Sequence, residues 1–145
     1  MKPDFPITIF HNPACGTSRN TLAIIEAAGY APTIVDYLRV GWTRPHLEAL
    51  LGDMHARPRD ILREKGTPAA ELGLLVPAVA DGQILEAMTR NPILVNRPIV
   101  VTPKGVRLCR PSELVIDLLP PQRGEFFKEN GERIVDERGR RVASA

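Results

Sequence analysis

The sequence predicts an α/β protein, and two observations support this prediction. Short apolar runs of single-strand length occur at 7–10 and 33–38 with a helical pattern between them, and two β-rich runs occur at 99–102 and 106–109. The long segment at about 43–91 has instead the periodicity of several short helices. Strands and helices therefore alternate along the chain, and one helical region interrupts the alternation.

The N-terminal part is predicted to form a strand, a helix and a second strand. Residues 7–10 form the first strand, and the helix runs from about 16 to 28 and stops at Gly29, since glycine favours helix ends. Residues 33–38 form the second strand. Strands that flank a helix in this order are expected to pair in parallel through a right-handed crossover.

The central region is predicted to contain four helical segments. Their first residues are Thr43, Pro58, Thr67 and Asp81, with Thr43 and Asp81 as capping residues. The first segment is expected to end at Gly52, and the second, which includes Arg63, to run to Lys65. The fourth is expected to end before Pro92, because proline disfavours helical geometry in the residue before it.

The C-terminal part is predicted to form an antiparallel hairpin and a last helix. Turn residues at 103–105 separate the two β-rich runs, and the helix extends from about Pro111 to Leu119. The complete order is β-α-β, a helical insertion and β-β-α, which is the order of a thioredoxin-like core with an inserted helical subdomain. We expect this domain to span residues 7–119.

A polar tail is predicted to follow at 120–145. Its Asn130-Gly131 and Arg138-Gly139 pairs favour turns between short strands such as 133–136. Disorder at the extreme C-terminus is an equally good interpretation of the same composition.

Charge and cysteine content disfavour several classes of protein. The 145 residues carry a net charge of +2 without a long basic block, so we expect no nucleic-acid partner. The two cysteines are far apart in the sequence and do not form a disulfide framework. We therefore expect the protein to be located in the reducing cytoplasm. The sequence contains neither a signal-peptide pattern nor an apolar run of about 18 residues. We therefore expect no membrane segment. The three histidines do not cluster with the cysteines, so no metal is expected.

Cys15 is predicted to lie in the turn between the first strand and the first helix. A helix N-terminus offers unpaired N–H groups and partial positive charge, which lower the pKa of a thiol and bind oxyanions. A buried structural cysteine is the alternative, but the neighbouring side chains are mostly polar: His11, Asn12, Thr17, Ser18 and Arg19. One turn can therefore hold both a nucleophile and an anionic substrate.

The helix alone cannot activate this thiol. Lowering a cysteine pKa by about 2 units requires about 2.7 kcal/mol, whereas a helix N-terminus supplies up to about 1 kcal/mol. An arginine or His11 is expected to add the rest, although His11 can equally serve only to order the loop. Ser18 stands three residues after Cys15, and Cys109 is the only other thiol. A scheme with one reactive cysteine then needs an external thiol.

Three segments together resemble the ArsC family of glutaredoxin-coupled arsenate reductases. They are HNPACGTSRN at 11–20, ILREK at 61–65 and NPILVNRPIVVTPKGVRLCRPSE at 91–113. The resemblance implies a thioredoxin-like fold and the reduction of arsenate to arsenite. It also implies glutathione as a co-substrate and glutaredoxin as a partner, with no bound cofactor. We expect the protein to act as a monomer.

The same resemblance implies roles for individual residues. Cys15 is expected to attack arsenate, with His11 and Ser18 beside the thiol. The residues expected to bind the oxyanion are Gly16, Thr17, Arg63, Arg97 and Arg110. Pro98 is expected to be the cis-proline that faces the cysteine in thioredoxin-like folds.

Three other functions are alternatives to this one. A phosphatase loop needs an arginine six residues after the cysteine, and Thr21 stands there while Arg19 is only four residues away. A thioredoxin-fold transcription regulator that binds RNA polymerase senses redox state through two cysteines, and Ser18 replaces the second. A glutathione-dependent thiol reductase without arsenate activity remains a further alternative.

Overall fold

The computed structural model describes residues 5–121, 126–127 and 133–135. The chain divides into two compact units. The first, called the core unit, comprises Met1–Val35 and Arg97–Ala145. The second, called the insert unit, comprises Asp36–Asn96. The predicted helical insertion at about 43–91 falls within the insert unit.

A mixed four-stranded sheet forms the centre of the core unit. Its strands are β1 (Thr8–His11), β2 (Thr33–Asp36), β3 (Ile99–Thr102) and β4 (Gly105–Leu108), in the order β2-β1-β3-β4. β3 pairs antiparallel with both β1 and β4, and the N–H of Thr33 donates to the carbonyl of Ile7 at 2.8 Å. The predicted neighbours and the predicted hairpin are thus present, which confirms the α/β class.

The helix α1 (Gly16–Ala27) packs on this sheet as the sequence predicts. Its apolar side chains Ile24 and Ile25 join Ile9 and Val100 of the strands in one buried cluster. Gly29 follows the helix with φ of +94°, a left-handed conformation that glycine adopts without steric cost. The last helix of the unit is a 3₁₀ helix, Ser112–Leu118, rather than the predicted 111–119.

The insert unit contains three α-helices. They are α2 (Tyr37–Val40), α3 (Arg44–Met54) and α4 (Asp81–Arg90), with short 3₁₀ helices at Pro58–Ile61 and Pro92–Leu94. The predicted strand at 33–38 ends early, because Tyr37 begins α2 and its hydroxyl donates to the buried carbonyl of Val95 at 2.9 Å. Helix α3 ends at a different residue from the one predicted, and helix α4 has a different capping residue.

Helix α3 begins at the predicted cap and ends later than predicted. Thr43 accepts a hydrogen bond from the N–H of His46 at 3.3 Å. Gly52 lies inside the helix, and His55 ends it by adopting the left-handed conformation with φ of 54°. Asp81 does not cap α4: the capping residue is Ala80, whose N–H donates to the side chain of Gln83 at 2.9 Å.

The predicted helix at 58–65 was wrong beyond Ile61. Leu62 turns to an extended conformation and forms an antiparallel bridge with Val95, so Arg63 lies on a strand-like segment. The segment predicted as a short helix from Thr67 consists of turns instead. Long-range backbone pairing explains the first difference, because local helix signals carry no information about a partner 33 residues away.

The tail is described only in part. Two short strands, β5 (Phe126–Phe127) and β6 (Arg133–Val135), pair antiparallel. The predicted turns at Asn130-Gly131 and Arg138-Gly139 and the extreme C-terminus lie outside the described residues. In the described part of the chain, no helix has both the length and the apolar character to cross a membrane.

Thr102 connects the β3–β4 hairpin to the last helix, and its replacement by valine is expected to lower stability. The buried hydroxyl donates to the carbonyl of Leu118 at 2.8 Å and accepts from the N–H of Lys104 at 3.1 Å. Thr102→Val leaves both backbone groups without this partner, so the free energy of unfolding should fall by about 1–3 kcal/mol. Urea unfolding measures it, with the exposed Thr33→Val as the control. Equal losses in the two variants would contradict the assignment.

Candidate active site

Three chain segments meet at one end of the core sheet. In the antiparallel register, Phe10 near the end of β1 faces Ile99 at the start of β3, and Ile99 faces Leu108 at the end of β4. The residues that follow β1 and β4 and precede β3 therefore emerge together. These residues include the cysteine turn, Arg97 and Arg110.

Cys15 is the N-cap residue of α1. Its backbone is extended, its N–H donates to the carbonyl of Asn12 at 3.0 Å, and its carbonyl accepts from the N–H of Arg19 at 3.0 Å. Only 8% of the residue is exposed. The turn thus places the thiol at the positive end of the helix, as the sequence predicts.

Asn12 shapes this turn, a role beyond that of the polar neighbour expected from the sequence. Its buried side-chain oxygen accepts from the N–H of Ala14 at 2.9 Å, and its own N–H donates to the hydroxyl of Ser18 at 3.1 Å. Asparagine before proline favours such a side-chain turn, so the signal was present in the Asn12-Pro13 pair. Asn12 therefore fixes both ends of the loop that carries Cys15.

His11 and Ser18 form a buried pair behind the turn. Nδ1 of His11 is hydrogen-bonded to the hydroxyl of Ser18, and the direction of that bond depends on the imidazole tautomer. Ser18 is fully buried in α1, so this contact ties the end of β1 to the helix. Through this hydrogen bond His11 can order the loop, and its direct role at the thiol stays a prediction.

Arg110 bridges the thiol and the backbone before Pro98. Its Nη1 lies 3.7 Å from the Cys15 sulfur and donates to the carbonyl oxygen of Arg97 at 3.0 Å. The Arg97–Pro98 peptide bond is cis, as the sequence predicts, and the Arg110–Pro111 bond, which was not singled out, is cis as well. The N–H of Cys109 donates to the carbonyl of Pro98 at 2.8 Å, which joins the two arginine-bearing segments.

The pKa of Cys15 is lowered to about 7 by its surroundings. Burial alone raises the pKa, but hydrogen bonding from Arg97, interaction with the Ser18 N–H and hydrogen bonding from Arg110 together outweigh it. A large fraction of the thiol is therefore thiolate at neutral pH, which is the nucleophilic form. The arginines supply the stabilisation that the helix alone cannot.

The pKa of the second thiol, Cys109, is raised rather than lowered. It is fully buried at the end of β4, and burial raises its pKa to about 12, with opposing smaller effects of Arg107 and Asp117. Its sulfur lies 3.8 Å from the carbonyl of Arg107. Cys109 is therefore a packed side chain that stays protonated at neutral pH, and Cys15 is the more acidic of the two thiols.

The remaining predicted site residues lie in two places. Gly16 and Thr17 are the first two residues of α1, directly after the thiol, and Gly16 is exposed. Arg63 lies in the insert unit, where Nε donates to the carbonyl of Lys65 at 3.1 Å and Nη1 to the side chain of Asn96 at 3.2 Å.

Within the described residues, no group of three or more histidine, cysteine or acidic side chains is placed to hold a metal.

Arg19 is a further cation beside the turn. It lies in the first turns of α1, is exposed, and donates from Nη1 to the carbonyl of Pro13 at 3.1 Å. A β-carbon at Gly16 would lie 3.8 Å from its Nη2. The guanidinium therefore lies across the outside of the turn that carries Cys15.

Comparison with known proteins identifies the family. A model of the ArsC family matches residues 10–118, which include the cysteine turn and all three arginines of the predicted oxyanion site. The chain belongs to the ArsC family. The family assignment confirms the resemblance drawn from the three sequence segments.

Named ArsC relatives are similar over almost their whole length. The arsenate reductase ArsI2 of Synechocystis sp. is 60% identical over 137 residues, covering 94% of this chain and 98% of the relative. The arsenate reductase of Escherichia coli K12 is 53% identical over 137 residues, covering 94% and 97%.

A solved structure gives the same result for the fold. The arsenate reductase from Vibrio cholerae superposes with a TM-score of 0.75 at 34% identity, covering 79% of this chain and 98% of that one. The thioredoxin-like fold of this ArsC chain is thereby confirmed.

Alkylation of Cys15 should accelerate as pH rises and level off above a midpoint of about 7. The rate follows the thiolate fraction, which increases above the lowered pKa. Arg110→Ala removes a donor 3.7 Å from the sulfur and should move the midpoint upward. Iodoacetamide labelling followed by peptide mass spectrometry measures this.

Arg107→Ala is the matched control for that experiment. Arg107 is an exposed arginine on β4, three residues before Arg110, and is paired with Asp117 at 3.0 Å. Its loss should leave the Cys15 midpoint unchanged. An equal shift in both variants, or a wild-type midpoint at the ordinary value of about 8.5, would contradict the activation of Cys15 by Arg110.

Proposed function

We propose that this protein reduces arsenate to arsenite, with Cys15 as the nucleophile, glutathione as the thiol co-substrate and glutaredoxin as the partner that regenerates Cys15. The observation that carries the proposal is the buried Cys15 thiol, with its pKa near 7, beside the guanidinium of Arg110. The similarity to named arsenate reductases supports arsenate as the substrate.

Arsenate is a tetrahedral anion that needs several donors and positive charge. Arg97 and Arg110 supply guanidinium groups at the thiol, and the first N–H groups of α1 supply backbone donors at Gly16 and Thr17. Both kinds of donor are fixed before substrate arrives. Fixed donors stabilise the charge that develops on the oxygens during attack without a further cost of reorganisation.

The first step is nucleophilic. The Cys15 thiolate attacks the pentavalent arsenic, a sulfur–arsenic bond forms, and one arsenate oxygen leaves as water after protonation. A glutathione thiol then reacts with the adduct to form a Cys15–glutathione disulfide. The electron pair of the sulfur–arsenic bond passes to arsenic, which becomes trivalent and leaves as arsenite.

The second stage restores the enzyme. A glutaredoxin thiolate attacks the glutathione sulfur of the mixed disulfide, and Cys15 leaves as a thiolate. A sulfur with a lowered pKa is a good leaving group, so the same arginines that activate attack also favour this release. An external thiol is proposed because Ser18 lies where a resolving cysteine would stand and Cys109 is fully buried.

Cys15→Ser is expected to abolish arsenite formation, whereas Cys109→Ala should retain most of it. Serine cannot supply a thiolate, and alanine at 109 removes only a packed, protonated sulfur with a pKa of about 12. Coupled assays with arsenate, glutathione and glutaredoxin measure this, with circular dichroism as the folding control. An equal loss in both variants would favour a relay between two cysteines.

Omission of each component tests the proposed reductants. Arsenite should form only when arsenate, glutathione and glutaredoxin are all present. Turnover of a glutathione mixed disulfide without turnover of arsenate would indicate a thiol reductase instead. Full activity with glutathione replaced by another thiol donor would contradict the proposed co-substrate.

The three arginines are expected to act at different stages. Arg97→Ala or Arg110→Ala should weaken arsenate binding by at least about 1.5 kcal/mol, the low end for a charge-assisted hydrogen bond. Arg63→Ala should lower kcat more than it raises KM, since a group that engages the developing adduct contributes mainly in the transition state. Lysine should rescue each only partly, because an ammonium cannot make a two-pronged contact.

Steady-state kinetics over an arsenate titration test whether the three arginines act at different stages. The measurements belong at a pH above the Cys15 midpoint of every variant, so that changes in thiolate fraction do not enter kcat. Equal rises in KM with unchanged kcat for all three alanine variants would contradict this prediction. They would show that the three arginines contribute equally to arsenate binding.

A further inference from the structure

Arg63 owes its backbone position to pairing between two distant segments of the insert unit. The N–H of Arg63 donates to the carbonyl of Leu94 at 2.8 Å, and the N–H of Asn96 donates to the carbonyl of Ile61 at 2.8 Å. The bridge between Leu62 and Val95 lies between these two hydrogen bonds. The two segments therefore form a short antiparallel ladder.

The side chain of Arg63 is held at two points. Nε donates to the carbonyl of Lys65 at 3.1 Å, and Nη1 donates to the carboxamide oxygen of Asn96 at 3.2 Å. Because a guanidinium is planar, two contacts at different nitrogens restrict both its place and the tilt of its plane. Arg63 and Asn96 are both half-buried, so the contact at Asn96 is shielded from water in part.

A neutral acceptor suits this task better than a carboxylate. An arginine side chain has about 2 kcal/mol of rotamer entropy, and a group ordered in advance does not lose it during the reaction. An aspartate would order the side chain equally well but would also neutralise its charge. The carboxamide of Asn96 orders the guanidinium through a neutral oxygen, which adds no negative charge beside it.

We propose that Asn96 is a positioning residue for Arg63 in the reduction of arsenate. The inference rests on the proposed function, in which Arg63 stabilises the transition state. Asn96 acts through the guanidinium and has no contact of its own with the substrate. In the chain it directly precedes Arg97, to which the proposed function assigns arsenate binding.

A double-mutant cycle tests this coupling. Asn96→Ala should lower kcat about tenfold with little change in the KM for arsenate, which corresponds to about 1.4 kcal/mol. In the Arg63→Ala background the same change should lower kcat by less than about twofold, because the guanidinium it positions is gone. Asn96→Ser should behave like alanine, since its hydroxyl is too short to replace the carboxamide oxygen, and it serves if the alanine variant is unstable.

Asn91→Ala is the matched control. Asn91 is another half-buried asparagine of the insert unit, and its amide donates to the carbonyl of Ala87 at 3.3 Å, away from Arg63. It should leave kcat unchanged within about twofold. Equal losses from Asn96→Ala in both backgrounds would show a purely structural role and overturn the proposal, as would no loss in the wild-type background.

A measurement without arsenate separates this inference from the proposed function. Nuclear magnetic resonance relaxation of the Arg63 Nε–Hε group should show higher mobility in Asn96→Ala than in the wild type or Asn91→Ala. Unchanged mobility overturns the positioning role. If the wild type forms no arsenite, the proposed function fails and the catalytic part of this inference fails with it, while the mobility result still decides whether Asn96 orders Arg63.

Discussion

The stabilisation of a buried thiolate at Cys15 is the constraint on which the rest of the core unit depends. Only 8% of the Cys15 residue is exposed, and burial by itself raises the pKa and favours the neutral thiol. The arginines and the helix N-terminus reverse that preference only because they converge on the sulfur.

The sheet provides that convergence. Antiparallel pairing on both sides of β3 brings the end of β1, the start of β3 and the end of β4 to one end of the sheet. Arg110 then adds a direct link, because the same guanidinium nitrogen that faces the sulfur also binds the carbonyl of Arg97. Loss of Arg110 thus removes a charge and also frees the backbone that carries the neighbouring arginine.

The parts of this structure that were predictable from sequence have local causes. The cysteine turn, α1 with Gly29 after it, and the β3–β4 hairpin follow from apolar periodicity and turn residues that act within a few positions. The contact of Arg110 with Cys15 came from the family resemblance, since no local pattern joins residues so far apart. The role of Asn12 was missed although its Asn-Pro signal was visible, because a polar residue in a loop has many uses.

Two of the wrong predictions concern long-range contacts. Residues 58–65 carry helix start and stop signals, yet the backbone at Leu62 pairs with Val95, and that pairing excludes a helix through Arg63. The strand at β2 likewise ends early because Tyr37 finds a buried acceptor in Val95. In both places a partner on a distant segment outweighs the local preference by providing hydrogen bonds in the interior.

The burial of Cys109 has a consequence for the fate of a trivalent arsenic product. Trivalent arsenic is a soft centre, and soft centres prefer thiolate ligands. This chain has only two cysteines, and one of them is fully buried with a pKa of about 12. The sulfur of Cys15 alone can form only one bond to the product, so the two cysteines offer no chelating pair in which that product would be trapped.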